Sequence, residues 1–240
     1  MSLQDQIALV TGAAGGIGRA IASTLATAGI TLGLTGRDAC SLEQLVREIR
    51  RSGVRAESFR GDISRVEDVR LLALEVMNKF GACDVLVHAA GVFHMGPISK
   101  ASVEELDALY RTNVRGPYAL TQALLPTLVA RRGQIVFINS SVGLAARAGV
   151  GAYAASKHAL KAIADSLRAE VNPLGVRVIS VYPGRTATRQ QEKIYEQEGR
   201  PYQPDHLLQP EDIAKTVLNA LALPRTAEVT DINIRPMQKS

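Results

Sequence analysis

The chain has 240 residues, with 46% hydrophobic side chains, 4% aromatic ones and no tryptophan. That composition suits one large folded domain with an aliphatic core and excludes disorder. The net charge of +5 comes from 28 Lys and Arg dispersed among 23 Asp and Glu. The longest basic runs are the pairs Arg50-Arg51 and Arg131-Arg132, which argues against a nucleic-acid surface. No stretch of about 18 apolar residues and no leader pattern is present, so no membrane span is expected. Cys40 and Cys83 stand in no paired motif, and His88, His94, His158 and His206 lack metal-ligand spacing. The reading therefore expects no disulfide framework, no metal and a cytoplasmic setting.

Short apolar strands alternate with amphipathic stretches of helix length. Strands are expected at 7–10, 31–35, 55–59, 85–88, 135–139, 176–181 and 228–234. Ile17, Ile21 and Leu25 mark a first helix; Leu42, Leu45, Val46 and Ile49 mark a second, with Ser41 and Gln44 as its capping box. Strand–helix–strand alternation predicts parallel pairing through right-handed crossovers. The expected fold is a doubly wound α/β domain over residues 1–240, a seven-stranded parallel sheet with helices on both faces. Residues 185–209 break the rhythm. They are polar, contain Pro201 and Pro204, and read as a long loop past a strand's carboxyl end, where ligands bind in such sheets.

Between the first strand and first helix lies Thr11-Gly12-Ala13-Ala14-Gly15-Gly16-Ile17-Gly18. Glycines there let backbone approach a pyrophosphate, and the helix N-terminus offers unpaired N–H groups and positive dipole. A dinucleotide site follows from that placement. At the tip of the second strand, an acidic residue would bond the ribose hydroxyls of NAD and repel a 2′-phosphate. Gly36 and then Arg37 stand there, and a guanidinium pairs a phosphate with charge-assisted bonds. The expected cofactor is NADP. Asp38, one residue on, is read as a helix cap.

Tyr153-Ala154-Ala155-Ser156-Lys157 lies in a helical stretch, which puts the phenol and the amine one turn apart on one face. A phenol titrates near 10, and bringing it to about 7 requires about 4 kcal/mol. A lysine charge at about 4 Å, with an effective dielectric of about 20, supplies energy of that order. The pair can therefore move a proton to or from a carbonyl oxygen. Ser140, at the end of the fifth strand, can donate to that oxygen, with Ser141 as the competing candidate.

With these residues in place the whole chain resembles the short-chain dehydrogenase/reductase family in its single-domain form. Thr11 to Gly18 match the family's TGxxxGxG. Asp62-Ile63 match its adenine-contacting aspartate and neighbour, and Ala89-Ala90-Gly91 the end of its NNAG motif. Asn113, Ser140, Tyr153 and Lys157 match its catalytic tetrad, and Pro183-Gly184-Arg185-Thr186-Ala187-Thr188 its PGxxxT segment. The resemblance implies that Tyr153 is the acid–base, with Lys157 lowering its pKa and binding the nicotinamide ribose. It implies that Ser140 orients the carbonyl and Asn113 holds a relay water. Cofactor contacts would come from Gly12, Ala14, Gly15, Gly16, Ile17, Gly18, Arg37, Asp62, Ile63, Ala89, Ala90, Gly91, Pro183, Gly184, Thr186 and Thr188. Three positions depart from the pattern: His88 for the first asparagine of NNAG, Asn139 before the serine, and Thr186 in PGxxxT. His88 is read as a satisfied strand-end histidine, with the usual bonds steadying the central strand in doubt.

The implied activity is hydride transfer between NADP and a carbonyl or secondary alcohol of a small molecule, with no metal. A silent NADP-binding scaffold is the alternative. His94, Leu144, Arg147 and residues 185–209 would line the substrate pocket, with Arg147, Arg185 and Arg189 read as solvated. The segment 208–236 resembles relatives that reduce small aldehydes and ketones or oxidise hydroxy acids. The helices that carry small residues such as Ala119, Ala123, Ala155 and Ala162, and the last strand, form subunit interfaces in the family the chain resembles, which implies a homotetramer, with a dimer as the second choice.

Overall fold

The computed structural model describes residues 3–238. In chain order the elements are β1 (Ile7–Thr11), α1 (Gly16–Thr27), β2 (Thr31–Gly36), α2 (Ala39–Arg51), β3 (Ala56–Arg60), α3 (Val66–Phe80), β4 (Val85–His88) and α4 (Val103–Tyr110). A π turn (Arg111–Arg115) leads into α5 (Gly116–Ala130), followed by β5 (Gln134–Ile138), α6 (Gly151–Val171), β6 (Arg177–Pro183), α7 (Arg189–Gln197), α8 (Pro210–Ala222) and β7 (Asp231–Ile234). All seven strands pair in parallel, in the order β3-β2-β1-β4-β5-β6-β7. This is the doubly wound, Rossmann-like sheet expected from the alternation.

Both sheet faces are covered, which is why β4 and β5 read as continuous apolar runs rather than alternating ones. On one face Ile21, Leu25, Leu42, Leu45, Ile213 and Val217, from α1, α2 and α8, pack against Val10, Leu34, Val87 and Val181. On the other Val69, Leu72, Leu120, Leu124 and Leu160, from α3, α5 and α6, pack against Leu9, Leu86, Phe137 and Val178. The strand order reverses between β1 and β4, and a crevice opens beyond the carboxyl ends of such strands. Among the described residues no helix is long and apolar enough to cross a membrane.

Three local expectations are corrected. The cap of α2 is Asp38, as its position also suggested, and not a Ser41–Gln44 box: its carboxylate accepts from the Ser41 backbone N–H at 3.2 Å and the Ser41 hydroxyl at 2.6 Å. Ser41 lies inside the helix, and Gln44 bonds forward to Glu48. β7 begins at Asp231 rather than 228, because the Glu228 side chain takes the N–H of Val178 in place of a backbone carbonyl. Finally, residues 185–209 are not one long loop. Thr188 caps α7 by accepting from the Gln191 N–H, and the segment pairs back on itself through a bridge between Thr186 and Leu208.

Candidate active site

The glycine segment is shaped by contact rather than by flexibility alone. Gly12 has φ 64°, and a Cβ there would lie 2.7 Å from the Ala90 Cα. A Cβ on Gly18 would lie 2.3 Å from the Gly12 carbonyl oxygen. Side chains are thus excluded at both positions, and the first turn of α1 approaches the β1 exit closely. Gly15 caps α1 without any side-chain bond, and its first turn carries no acidic residue. The early N–H groups of α1 lack intrahelical partners by geometry and carry the positive end of the dipole. Ala14 is half-buried, Gly15 and Gly16 are exposed, and Ile17 is half-buried beside them. This backbone cradle fits a pyrophosphate. The tip of β2 fits the rest of a dinucleotide: Arg37 stands exposed while Asp38 is committed to its cap. Across β2, Asp62 follows β3, accepts from the Ser64 N–H, and is followed by buried Ile63.

The β4 exit is tied down by Thr11. Its hydroxyl accepts from the N–H groups of Ala89 and Ala90, both at 3.1 Å, and donates to the Val87 carbonyl. His88 is 2% exposed, bonds Thr121 Oγ1 at 2.8 Å through Nε2, and stacks on Phe137. Burial pulls its pKa down to about 3, so it is neutral. The central strand is therefore steadied by Thr11 and by the His88–Thr121 bond.

Tyr153 and Lys157 lie on α6, beside Ser140 at the β5 exit. The Lys157 ammonium donates to the Ile138 carbonyl at 3.0 Å and sits 5.8 Å from the Tyr153 ring centroid. Burial pushes the Tyr153 phenol up to about 12, against the opposing pull of its bond with Ser140. Burial likewise brings Lys157 down to about 8. Burial thus moves the tyrosine in the opposite direction to that expected from helical spacing, with the Ser140 bond as the opposing pull. Ser140 Oγ also accepts weakly from the Val142 N–H. Asn113 is held by the π turn, a break in regular winding of the kind found at functional sites. Its side-chain amide donates to the Val92 carbonyl and Ser156 Oγ, and its oxygen accepts from the Val92 N–H. A Cβ on Gly91 would meet Asn113 Oδ1 at 3.3 Å and Lys157 Nζ at 3.8 Å, so those two groups and the β4 exit converge.

Asn139 is the residue that sequence reading undervalued. Its amide donates to the Lys157 carbonyl and its oxygen accepts from the Ser140 N–H, which pins the serine turn to α6. Only its position before the serine hinted at this.

Tyr153, Ser140, Ser141, Ile17, Pro183, Gly184, Thr186 and Thr188 share one cleft of about 250 Å³. Thr186 is buried and donates to the Gly184 carbonyl. The Thr188 methyl meets the glycine segment, since a Cβ on Gly16 would lie 2.6 Å from it. Arg147 also lines the cleft, whereas His94 is drawn away to Glu105 at 2.6 Å and exposed Leu144 lies outside the lining. Arg185 is not solvated. It forms a two-pronged pair with Glu198 at 2.8 and 2.7 Å and lies over the Tyr195 ring. Arg189 is exposed. Among the described residues no group of three or more His, Cys, Asp or Glu is placed to hold a metal ion.

Known proteins of one family share this chain's fold and much of its sequence. Sepiapterin reductase of Chlorobaculum tepidum is 33% identical over 96% of each chain. The alcohol dehydrogenase of the archaeon Thermococcus sibiricus, solved with 5-hydroxy-NADP, superposes with a TM-score of 0.89 at 29% identity over 99% of each chain. A metagenomic short-chain oxidoreductase solved with NADP gives 0.86 at 34% identity over the full length of both. A family model described as short chain dehydrogenase matches residues 6–199. The chain belongs to the short-chain dehydrogenase family of oxidoreductases.

Proposed function

We propose that this protein is an NADP-dependent oxidoreductase acting on a carbonyl or secondary alcohol of a small molecule, of the aldehyde, ketone or 3-oxoacyl type. The observation that carries the reading is the shared cleft: Tyr153 and Ser140 face the same space as Ile17 of the glycine segment and Thr188.

Gly12, Ala14, Gly15, Gly16, Ile17 and Gly18 would hold the pyrophosphate, Arg37 the 2′-phosphate, and Asp62 with Ile63 the adenine. Ala89, Ala90 and Gly91 would back the ribose, with Tyr153 and Lys157 bonding it. Pro183, Gly184, Thr186 and Thr188 would hold the nicotinamide end. Bound NADP(H) supplies or accepts the hydride. In reduction Tyr153, a neutral phenol throughout the physiological range, gives its proton to the carbonyl oxygen; in oxidation its phenolate takes the proton back. Lys157, still mostly protonated at neutral pH, stabilises the phenolate as it forms. Ser140 orients the oxygen. Asn113 holds the β4 exit against Lys157, with the spare lone pair of its Oδ1 facing the role of relay-water acceptor. Small exposed residues on α5 and α6, Ala123, Ala155 and Ala162, support a homotetramer. Cys40 and Cys83 are both free, which suits a reducing cytoplasm.

The test is NADPH oxidation against a panel of aldehydes, ketones, quinones and 3-oxoacyl thioesters. Turnover is expected with at least one, falling by about 10²–10⁴-fold or more in Tyr153→Phe. Binding without turnover on the whole panel would favour the silent scaffold. Arg37→Ala should weaken NADPH about 10- to 100-fold, the worth of a charge-assisted contact of about 1.5–3 kcal/mol, and leave NADH nearly unchanged. Fluorescence titration of both cofactors checks this, and equal losses would remove Arg37 from the phosphate site.

A further inference from the structure

At the other end of the strands from the catalytic cleft lies a cavity of about 510 Å³, at the amino ends of β5 and β6. Arg131, Arg132, Arg177 and Arg225 line it, together with exposed Leu174 and its neighbour Pro173. Two carboxylates stand against these four guanidinium groups, Glu228 in the lining itself and Asp84 beside it. Asp84 is committed to Arg131 Nε at 2.7 Å and to the Ile7 N–H. Glu228 is committed to Asn172 Nδ2 and the Val178 N–H.

Arg177 and Arg225 bond backbone carbonyls, while Arg131, Arg132 and Arg225 stand exposed around the hollow. Arg177 is 7% exposed, and its two terminal nitrogens donate to the carbonyls of Leu221, Leu223, Pro224 and Ala227. Its Nε is buried with no hydrogen-bond partner. Arg225 donates to the Gly175 carbonyl at 3.2 Å through one terminal nitrogen, leaving the other free to turn. Arg132 has a left-handed backbone, φ 48°, unusual for a side chain of its size, and its stem lies over Gly175. Burial and then the proximity of Arg225 lower the Arg177 pKa, with Glu228 opposing; burial and then Arg132 lower that of Arg225, with Asp84 opposing. Like charges are thus gathered around one hollow, where an anion would offset their repulsion.

We propose that this cavity binds a small phosphate monoester with an apolar body. The phosphate would sit among the free nitrogens of Arg131, Arg132 and Arg225, whose planar forks match its oxygens, and the apolar part would lie on Leu174 and Pro173. Arg177 contributes fixed positive potential from beneath. The class of ligand follows from two features together: a phosphate carries nearly two charges for several guanidinium groups, and the rim beside them is hydrocarbon.

Isothermal titration of the whole enzyme with phenyl phosphate, at constant ionic strength and with NADPH at saturation, tests this. Saturable binding with a Kd below about 1 mM is expected, tighter than inorganic phosphate. The Arg132→Ala/Arg225→Ala double variant should lose at least about tenfold in affinity while keeping wild-type NADPH turnover. Arg37→Ala should bind phenyl phosphate as the wild type does. Absence of saturation, retention of affinity in the double variant, loss of it in Arg37→Ala, or no preference over inorganic phosphate each overturns the proposal.

Discussion

Lys157 and Arg177 are buried at opposite ends of the same sheet, 4% and 7% exposed, and among the described residues neither forms a salt bridge, though Glu228 lies near enough to Arg177 to favour its charge. Both lean on backbone carbonyls, but in different numbers. Lys157 has one, from Ile138, and keeps ammonium hydrogens to spare. Arg177 has four. A lysine held this lightly comes down to about 8 and can lose its proton within reach of neutral pH. A guanidinium does not deprotonate in a protein. One end of the sheet therefore carries a cation suited to chemistry and the other a cation suited to bracing the chain. Burial of charge does not by itself tell the two apart; the count of carbonyls around it does.

The contrast can be broken at several strengths. The largest expected effect is on turnover: Lys157→Met should lower kcat by about 10²–10⁴-fold, in the range of a lost proton-transfer group. Its chemical denaturation midpoint should shift less than that of Arg177→Met, because a single carbonyl, that of Ile138, loses its side-chain donor. The converse variant, Arg177→Met, takes the side-chain donor from the carbonyls of Leu223 and Ala227, at about 1–3 kcal/mol each, while Leu221 keeps Gln134 and Pro224 keeps the Ala227 N–H. A loss of about 3 kcal/mol in urea unfolding is expected, with near-normal kcat in the molecules that remain folded. If Arg177→Met proves as stable as wild type, the bracing role is wrong.

The pH dependence is a finer probe. The folded pKa of Lys157 lies below its ordinary 10.5, at about 8. The cost of burying its charge is then full below about 8 and is relieved as pH rises toward the unfolded value. Activity should move the opposite way. If the proposed function holds, the rate of reduction with NADPH is expected to fall above about pH 8 as the ammonium loses its proton. Lys157→Arg, which keeps its charge, should lack that limb whatever its absolute rate. A wild-type profile flat through this range would detach Lys157 from the proton-transfer step.

The sheet was legible because its signals are local and repeated: apolar runs set the strands, and steps of four such as Ile17, Ile21 and Leu25 set the helices. The glycine segment was legible because close backbone approach admits no other residue. Harder to read was α7. Its sequence is polar, only Ile194 and Tyr195 are buried on it, and its docking depends on the Arg185–Glu198 pair, which joins residues that no periodicity links. The role of Asn139 depends on a bond to the carbonyl of residue 157, a partner set by the tertiary fold. The effect of burial on the tyrosine was not legible for a related reason. Spacing along a helix reports the distance to the amine but not the loss of water around the phenol.

The Thr188 methyl touching Gly16 has a consequence for how this enzyme can be re-engineered. The residue that starts α7 is fitted to a hole left by a missing side chain in the cofactor segment. Transplanting a foreign nucleotide segment, or exchanging the substrate-side helix between relatives, would bring together surfaces shaped for other counterparts. The two pieces form a matched pair across the cleft and have to be swapped together.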